Sequence, residues 1–246
     1  MKRRARSHSP PVRPARALRI AGAALAALAL LAALNWVVQA ARKPSEVFFP
    51  FDGFTKNPAE TWAEYGGLFR EHATASVPAE LLAALAQAES AGNPVARTYW
   101  RWRFDWNPIE VYRPASSAVG LYQITDGRFA EAKRLCVHRH RAVDDGPWYN
   151  PRTCWFNAFY FRVVPSHAVE LTSAFLDRSI SRVNATSEER QRLAAVIHLC
   201  GATAGEAFAR RGFRPLPGQR CGEHGLRAYL SRVDALKHEF RKLSNH

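Results

Sequence analysis

The sequence predicts a mainly α-helical chain, one globular domain behind an N-terminal transmembrane helix. Three observations carry that expectation. A basic cluster is followed by a long, almost purely apolar run. Most of the remaining chain divides into segments with apolar residues at helical spacing, several opened by capping residues. Four cysteines all lie beyond the apolar run. The boundaries read as a basic tail at 1–19, an apolar segment at 20–41, a linker at 42–56 and the domain at 57–246.

Residues 1–19 hold seven Lys/Arg and no acid, and Ile20 to Ala41 is interrupted only by Asn35 and Gln39. A run of this length can cross a bilayer as one helix, and the preceding charges keep the N-terminus in the cytoplasm. Val38-Gln39-Ala40 also fits a signal-peptide cleavage site. The apolar run is longer than an ordinary signal core, which favours an uncleaved anchor. The formal charge of +14 is uneven: residues 1–43 contribute nine Lys/Arg and no acids, leaving about +5. The high pI is therefore partly a targeting feature and argues little for nucleic acid.

The linker carries Phe48, Phe49, Phe51 and Phe54 around Pro50 and Gly53. Asn57-Pro58-Ala59-Glu60 then opens a helix to about His72, striped by Trp62, Tyr65 and Phe69. Pro78 to Ser90 is a second helix, closed by Gly92-Asn93-Pro94. From Trp100 to Trp106 aromatic residues alternate with Arg101, Arg103 and Asp105, a period of two that suits a short hairpin or flap. Asp126 to Leu135 reads as helical, and the stretch from His138 to Pro147 as a loop. Its His138-Arg139-His140 lacks further ligands at metal spacing, so a metal site is not expected. Trp155–Val163 and His167–Val183 read as helices separated at Pro165. Thr186-Ser187-Glu188-Glu189 is a capping box before a helix to about Cys200. Residues 201–222 look loop-rich. A final helix carries Leu226, Tyr229, Leu230, Val233, Leu236, Phe240 and Leu243 on one stripe. The even cysteine number in an exported segment suggests two disulfides, and pairing of sequence neighbours gives Cys136–Cys154 and Cys200–Cys221.

Glu89 is the residue that points to chemistry. On a helical wheel Leu81, Leu85, Glu89 and Leu82 fall at roughly 0, 40, 80 and 100°. The acid thus shares the stripe of three leucines, and it lies in the last turn, where the helix dipole disfavours a negative charge. Both effects favour the protonated form, the state that a general acid must hold. A partly exposed glutamate at a frayed helix end is the plain alternative.

Glu89-Ser90, Asn93-Pro94 and Gly120-Leu121-Tyr122-Gln123, in that order, resemble the motifs of the lytic transglycosylase domain of the soluble-transglycosylase (SLT) type, within the lysozyme-like superfamily. Tyr122 stands where that family usually has methionine. The resemblance runs from about Ser76 to Leu243 and implies a lysozyme-like fold. Two departures stand out. About twenty residues, RTYWRWRFDWNPIEVYRPAS, separate the second and third motifs, where the family has a short link. The family's Ala-Tyr-Asn-Ala-Gly motif falls at residues 197–201, which puts His198 at the tyrosine and Leu199 at the asparagine. His198 either takes over the tyrosine's role by donating a hydrogen bond or is a core or rim histidine of its helix.

The resemblance implies cleavage of the β-1,4 bond between N-acetylmuramic acid and N-acetylglucosamine in peptidoglycan, with one acid rather than a pair of carboxylates. Glu89 would protonate the leaving oxygen, then accept the proton of the sugar's C6 hydroxyl as that oxygen attacks C1 and forms a 1,6-anhydro sugar. Gln123 and Tyr122 would border the cleft, and Ser90 would support a loop or the substrate. No metal or other cofactor is required. Two rivals stand beside this reading. A water-using lysozyme would want a second carboxylate, with Asp105 and Asp126 as nearby candidates. A non-catalytic wall-binding scaffold would explain the altered third motif. The expected partners are peptidoglycan glycan strands and the bacterial inner membrane, with cell-envelope machinery as a further possibility and no nucleic acid. The expected location is a single-pass inner-membrane protein with its domain in the periplasm, or a secreted periplasmic protein if the apolar segment is cleaved.

Overall fold

The computed structural model describes residues 14–42, 54–104, 106–147, 149–150 and 152–245. The basic tail before residue 14, the linker phenylalanines at 48, 49 and 51, and Asp105 lie outside the described residues. The chain is mainly helical, with eight α-helices and three two-stranded antiparallel hairpins among the described residues. It divides into two units. One joins the N-terminal helix to Tyr99–Ala115, and the other comprises the rest from the linker onward.

In the first unit, helix α1 (Pro14–Arg42) is long and apolar enough to cross a membrane. Strands β1 (Trp100–Trp102) and β2 (Tyr112–Pro114) pair in the register Trp100↔Pro114, Arg101↔Arg113 and Trp102↔Tyr112. The expected flap is thus a hairpin. Tyr112 packs between Trp100 and Trp102, at ring-centroid distances of 5.3 and 4.7 Å. The two polar residues that interrupt the apolar helix are the ones that hold the hairpin. Asn35 donates to the Tyr112 carbonyl at 2.7 Å and Gln39 to the Ile109 carbonyl at 2.9 Å. Arg42 pairs with Glu110 at 2.9 Å, and Glu110 also takes Arg113 at 2.6 Å. Most of the residues between the second and third motifs, Tyr99–Ala115, therefore belong to the unit of the N-terminal helix.

In the second unit, α2 (Pro58–Glu71) starts from a reciprocal cap. Glu60 N–H donates to Asn57 Oδ1 at 3.0 Å, and Asn57 N–H to Glu60 Oε2 at 2.8 Å. Helix α3 (Ala79–Ser90) begins one residue later than expected, with Pro78 extended in the cap position. Leu81, Leu82 and Leu85 are fully buried, each worth about 1.5–3 kcal/mol of transfer free energy. Helix α3 lies against α2 and the final helix, α8 (Leu226–Ser244). Trp62 bridges Phe69 and Phe240 across that junction, at 6.1 and 5.8 Å. A buried polar tie accompanies it: Thr61 Oγ1 donates to Gln87 Oε1 at 2.7 Å, and Gln87 Nε2 to the Lys56 carbonyl at 2.9 Å.

Helix α4 (Asp126–Ala132) is shorter than expected, because the chain turns into β3 (Leu135–His138), which pairs with β4 (Arg141–Asp144). The expected loop at 138–147 is thus corrected in its first half to a strand. Arg139 and His140, both at positive φ, make the turn. Helix α5 (Pro165–Ile180) fastens this hairpin with two buried carboxylates. Val137 N–H donates to Glu170 at 3.0 Å, and Ala142 N–H to Asp177 at 3.0 Å. Carboxylates that accept backbone N–H groups make charge-assisted bonds. His140 Nδ1 meets the Ala73 carbonyl at 2.7 Å, a packing role for one of the two histidines of the His-Arg-His sequence. Trp155–Phe159 is a single 3₁₀ segment rather than a helix to 163. Helix α6 (Ser187–Cys200) opens with the expected box: Glu189 N–H donates to Thr186 Oγ1 at 3.2 Å and Thr186 N–H to Glu189 at 2.8 Å. The expectation of a loop-rich 201–222 is corrected at its start, where α7 (Ala202–Arg210) buries Phe208. Gly205 lets this helix sit flush against Ile197, whose side chain a Cβ would overlap. The expected disulfides are present. Cys136–Cys154 ties β3 to the 3₁₀ segment, and Cys200–Cys221 ties the end of α6 to the hairpin of β5 (Arg220–Cys221) and β6 (His224–Gly225).

Candidate active site

Glu89 sits in the last turn of α3, its side chain 15% exposed at the end of the leucine stripe. The helix stops there because Ala91 and Gly92 both take left-handed conformations, at φ 50 and 70. Gly92 is required, since a Cβ would run into Thr61. The neighbouring Ser90 is buried, its hydroxyl 3.0 Å from the Ala86 carbonyl and 2.8 Å from the Leu121 carbonyl. Its place supports the loop; it faces the Gly120–Gln123 turn rather than an open surface. Asn93 is buried as well, and Val95 N–H donates to its Oδ1 at 2.9 Å. The first two motifs thus shape the chain that leaves the acid.

The third motif is a turn seated on those segments. Gly120, at φ +80, donates its N–H to the Ala96 carbonyl at 2.8 Å, and its α-carbon passes so close to the Arg162 and Pro94 carbonyls that no Cβ fits. Gln123, also at positive φ, gives its amide protons to Ala96 O and Gly120 O, both at 3.1 Å. Its side chain therefore braces the turn. Tyr122 corrects the expectation of a residue at the cleft rim. It is fully buried, with its hydroxyl donating to the Leu82 carbonyl at 3.1 Å. A residue pointing into the core between α3 and α6 reaches substrate only through what it packs against.

What it packs against is His198, whose ring meets it edge-on at 6.1 Å. His198 is 4% exposed in the last turns of α6, and its Nε2 lies 3.7 Å from Glu89 Oε1. Burial and the nearby Arg128 charge pull its pKa down to about 3, against a smaller opposing pull from a hydrogen bond to the Tyr122 backbone. The histidine is thus neutral at neutral pH, and its approach to Glu89 is not an ion pair. Arg128, on α4, completes the wall. It donates to the His198 and Ile197 carbonyls at 2.6 and 3.1 Å and lies over the Phe175 ring at 5.4 Å. The guanidinium thereby adds a donor to carbonyls in the last turn of α6, where the Ile197 carbonyl also accepts from Gly201 N–H at 2.9 Å.

The decisive contact comes from the far end of the chain. Tyr229, in the first turn of α8, donates its hydroxyl proton to Glu89 Oε1 at 2.7 Å. Burial raises the Glu89 pKa. The Tyr229 hydrogen bond and the charges of His224, Arg128 and Arg232 pull it back down in part, and the net shift is upward. With Oε1 accepting from the phenol, Oε2 is the oxygen left to carry the proton when the carboxyl is protonated. A buried carboxyl of raised pKa with one oxygen fixed by a phenol meets the geometric requirement for a general acid. A groove of about 610 Å³ along the first turns of α8 is lined by Gln219, Arg220, Gly225, Arg227, Ala228 and Ser231, and not by Glu89, Tyr229, His198 or Arg128. Of the two carboxylates named for a hydrolytic route, Asp126 is held by Arg162 at 2.7 Å. Among the described residues, no group of three or more His, Cys, Asp or Glu is placed to hold a metal.

Part of the chain around Glu89 matches a known family model. Residues 68–152 match the transglycosylase SLT domain. The SLT-type match takes in α3, Glu89 and the Gly120–Gln123 turn, and it ends before α5, so His198 and Tyr229 lie outside it. No curated protein and no solved structure matches the chain. The SLT domain supports a lytic transglycosylase-type activity on peptidoglycan.

Tyr229 and Arg128 are the site residues that sequence reasoning missed. Tyr229 reads as one more member of an apolar stripe, and Arg128 falls in a stretch read only as helical. The only signal in either case is a polar tip on an otherwise core-facing side chain.

Proposed function

We propose that the chain is a membrane-anchored lytic transglycosylase that cuts the β-1,4 bond between N-acetylmuramic acid and N-acetylglucosamine and leaves a 1,6-anhydro end. The observation that carries this reading is the hydrogen bond from Tyr229 to Glu89, an acid that ends a leucine-walled helix and lies inside the SLT match. Glu89 Oε2 protonates the leaving oxygen. The resulting carboxylate, steadied by Tyr229 and by the Arg128 and His224 charges, takes the C6 hydroxyl proton as that oxygen closes on C1. The leaving oxygen gains one proton, the C6 oxygen loses one, and no water is consumed. Helix α1 holds the domain at the outer face of the inner membrane, which places it against the wall. Neutral His198 occupies the position of the family's tyrosine and acts by packing beside the acid rather than by charge.

Product analysis tests the reaction. Peptidoglycan digested by the native chain should give muropeptides lighter by one water than their hydrolysed counterparts, and Glu89→Gln should give none. Products at full hydrolytic mass would assign a lysozyme instead. The changed residues at 198 and 199 favour a second reading, a wall-binding scaffold without turnover. Binding to peptidoglycan with no product from the native chain under varied conditions would establish it.

A further inference from the structure

We infer that the hairpin Trp100–Pro114 is an interfacial foot that seats Trp102 and Phe104 in the headgroup layer of the bilayer that α1 crosses; this rests on the membrane reading proposed above. Asn35 and Gln39 lie within the last two turns of α1, about 10 Å or less along the axis from Arg42 at 1.5 Å per residue. Their amides would be costly at that depth without partners, because hydrocarbon offers none. The hairpin supplies an acceptor to the N–H side of each amide, through the Tyr112 and Ile109 carbonyls, while Asn35 Oδ1 is buried without a hydrogen-bond partner. Both residues are buried by this contact, at 5% exposure each, whereas the apolar window of α1 is otherwise bare. A hairpin fastened to the helix by buried amide bonds goes where the helix end goes.

The outward surface of the hairpin suits that place. Trp102 is 69% exposed and Phe104 96%, an unusual display of large apolar side chains in water. Tryptophan and other aromatic rings concentrate at the membrane–water boundary, and arginine stems reach from there to lipid phosphates. Arg101 and Arg113 are paired in register on the two strands. Arg42 and Arg113 share the Glu110 carboxylate, so the three arginines keep a net positive charge, which matches an anionic headgroup layer. The same surface offers stacking faces to sugars, and that occupant is an outcome of the test.

Phe104→Cys in the full chain, labelled with a nitroxide without reduction so that the disulfide cysteines do not react, is reconstituted into vesicles of phosphatidylethanolamine and phosphatidylglycerol. A label at exposed Glu206→Cys serves as reference. The ratio of oxygen to nickel-chelate accessibility should be severalfold higher at 104 than at 206, with the chain retained after carbonate washing. Equal ratios with retention would overturn the foot and leave the anchor standing. Release by carbonate would overturn the anchor and the foot with it. Protection at 104 that appears only when glycan strands are added would overturn the foot in favour of sugar binding.

Discussion

Tyr229 hydrogen-bonds Glu89 across 140 residues of sequence, at 2.7 Å, and joins the last helix to the end of the helix that carries the acid. The bond opposes burial. Desolvation raises the Glu89 pKa, and the phenol lowers it by favouring the carboxylate. The net shift is upward, so the phenol offsets only part of the effect of burial.

Tyr229→Phe should remove that offset. It leaves the ring packing and removes the donor, so the Glu89 pKa should rise further. Hydrogen bonds to charged groups contribute about 1.5–3 kcal/mol, or about 1–2 pH units. The alkaline limb of the pH–rate profile should move up by that amount, while kcat falls as the carboxylate loses its support. A profile with an unmoved limb would show that the phenol does not reach the ionised acid.

Gly120→Ala tests the third motif as a backbone device. The residue is left-handed, and a Cβ would meet the Arg162 carbonyl, which cannot swing away as a side-chain tip could. We expect a loss of about 1–3 kcal/mol in urea unfolding, with activity falling as the Gln123 turn shifts. A substitution tolerated within a few tenths of a kcal/mol would remove the close approach as the reason for this glycine.

What the sequence discloses follows the range of the forces involved. Glu89 is legible because a helix repeats every 3.6 residues, so one acid among Leu81, Leu82 and Leu85 is visible locally. The capping boxes at Asn57 and Thr186 are legible for the same reason. Tyr122 is expected at the rim because the family resemblance sets its motif beside the cleft. Which way a side chain faces in a tight turn depends on segments distant in sequence, here Leu82 and His198. The β3–β4 hairpin escapes notice because its partners, Glu170 and Asp177, lie on α5. Helix α7 escapes because Gly201, Gly205 and Gly212 resemble loop punctuation, although Gly205 serves helix packing. Tyr229 is hidden most fully, since only its hydroxyl departs from the core stripe.

The two disulfides should separate stability from activity. Removing either should cost about 2–4 kcal/mol, the range for loops of this size. Cys200 follows His198 by two residues, and its bridge also fixes the β5–β6 hairpin that carries His224, one of the charges acting on Glu89. Cys200→Ser with Cys221→Ser should therefore lower kcat beyond what its melting temperature explains. Cys136→Ser with Cys154→Ser, which loosens β3 and the 3₁₀ segment, should lower the melting temperature with kcat retained at temperatures where the protein is folded. Equal effects on kcat would assign both bridges a purely structural role.

Buried His198 makes a prediction about acid. Its folded pKa is about 3, against 6.5 for the free side chain. Below pH 6.5 the unfolded chain takes up a proton that the folded chain refuses. The stability associated with a neutral His198 is thus fully present above about pH 6.5 and declines as pH falls toward 3, by about 1.4 kcal/mol per pH unit at most. Glu89 acts in the opposite direction. Its raised pKa favours the folded state at low pH and costs stability as pH rises through it. The two effects overlap, so the comparison belongs in a Glu89→Gln background. There, urea unfolding at pH 7, 5.5 and 4 should show a steep acid decline that His198→Gln flattens by a few kcal/mol at pH 4. Arg128, bonded to the carbonyls of the same helix end, remains in both proteins and cancels. Equal slopes would mean that His198 can take a proton beside Arg128, and its assignment as a neutral packing residue next to the acid would fail.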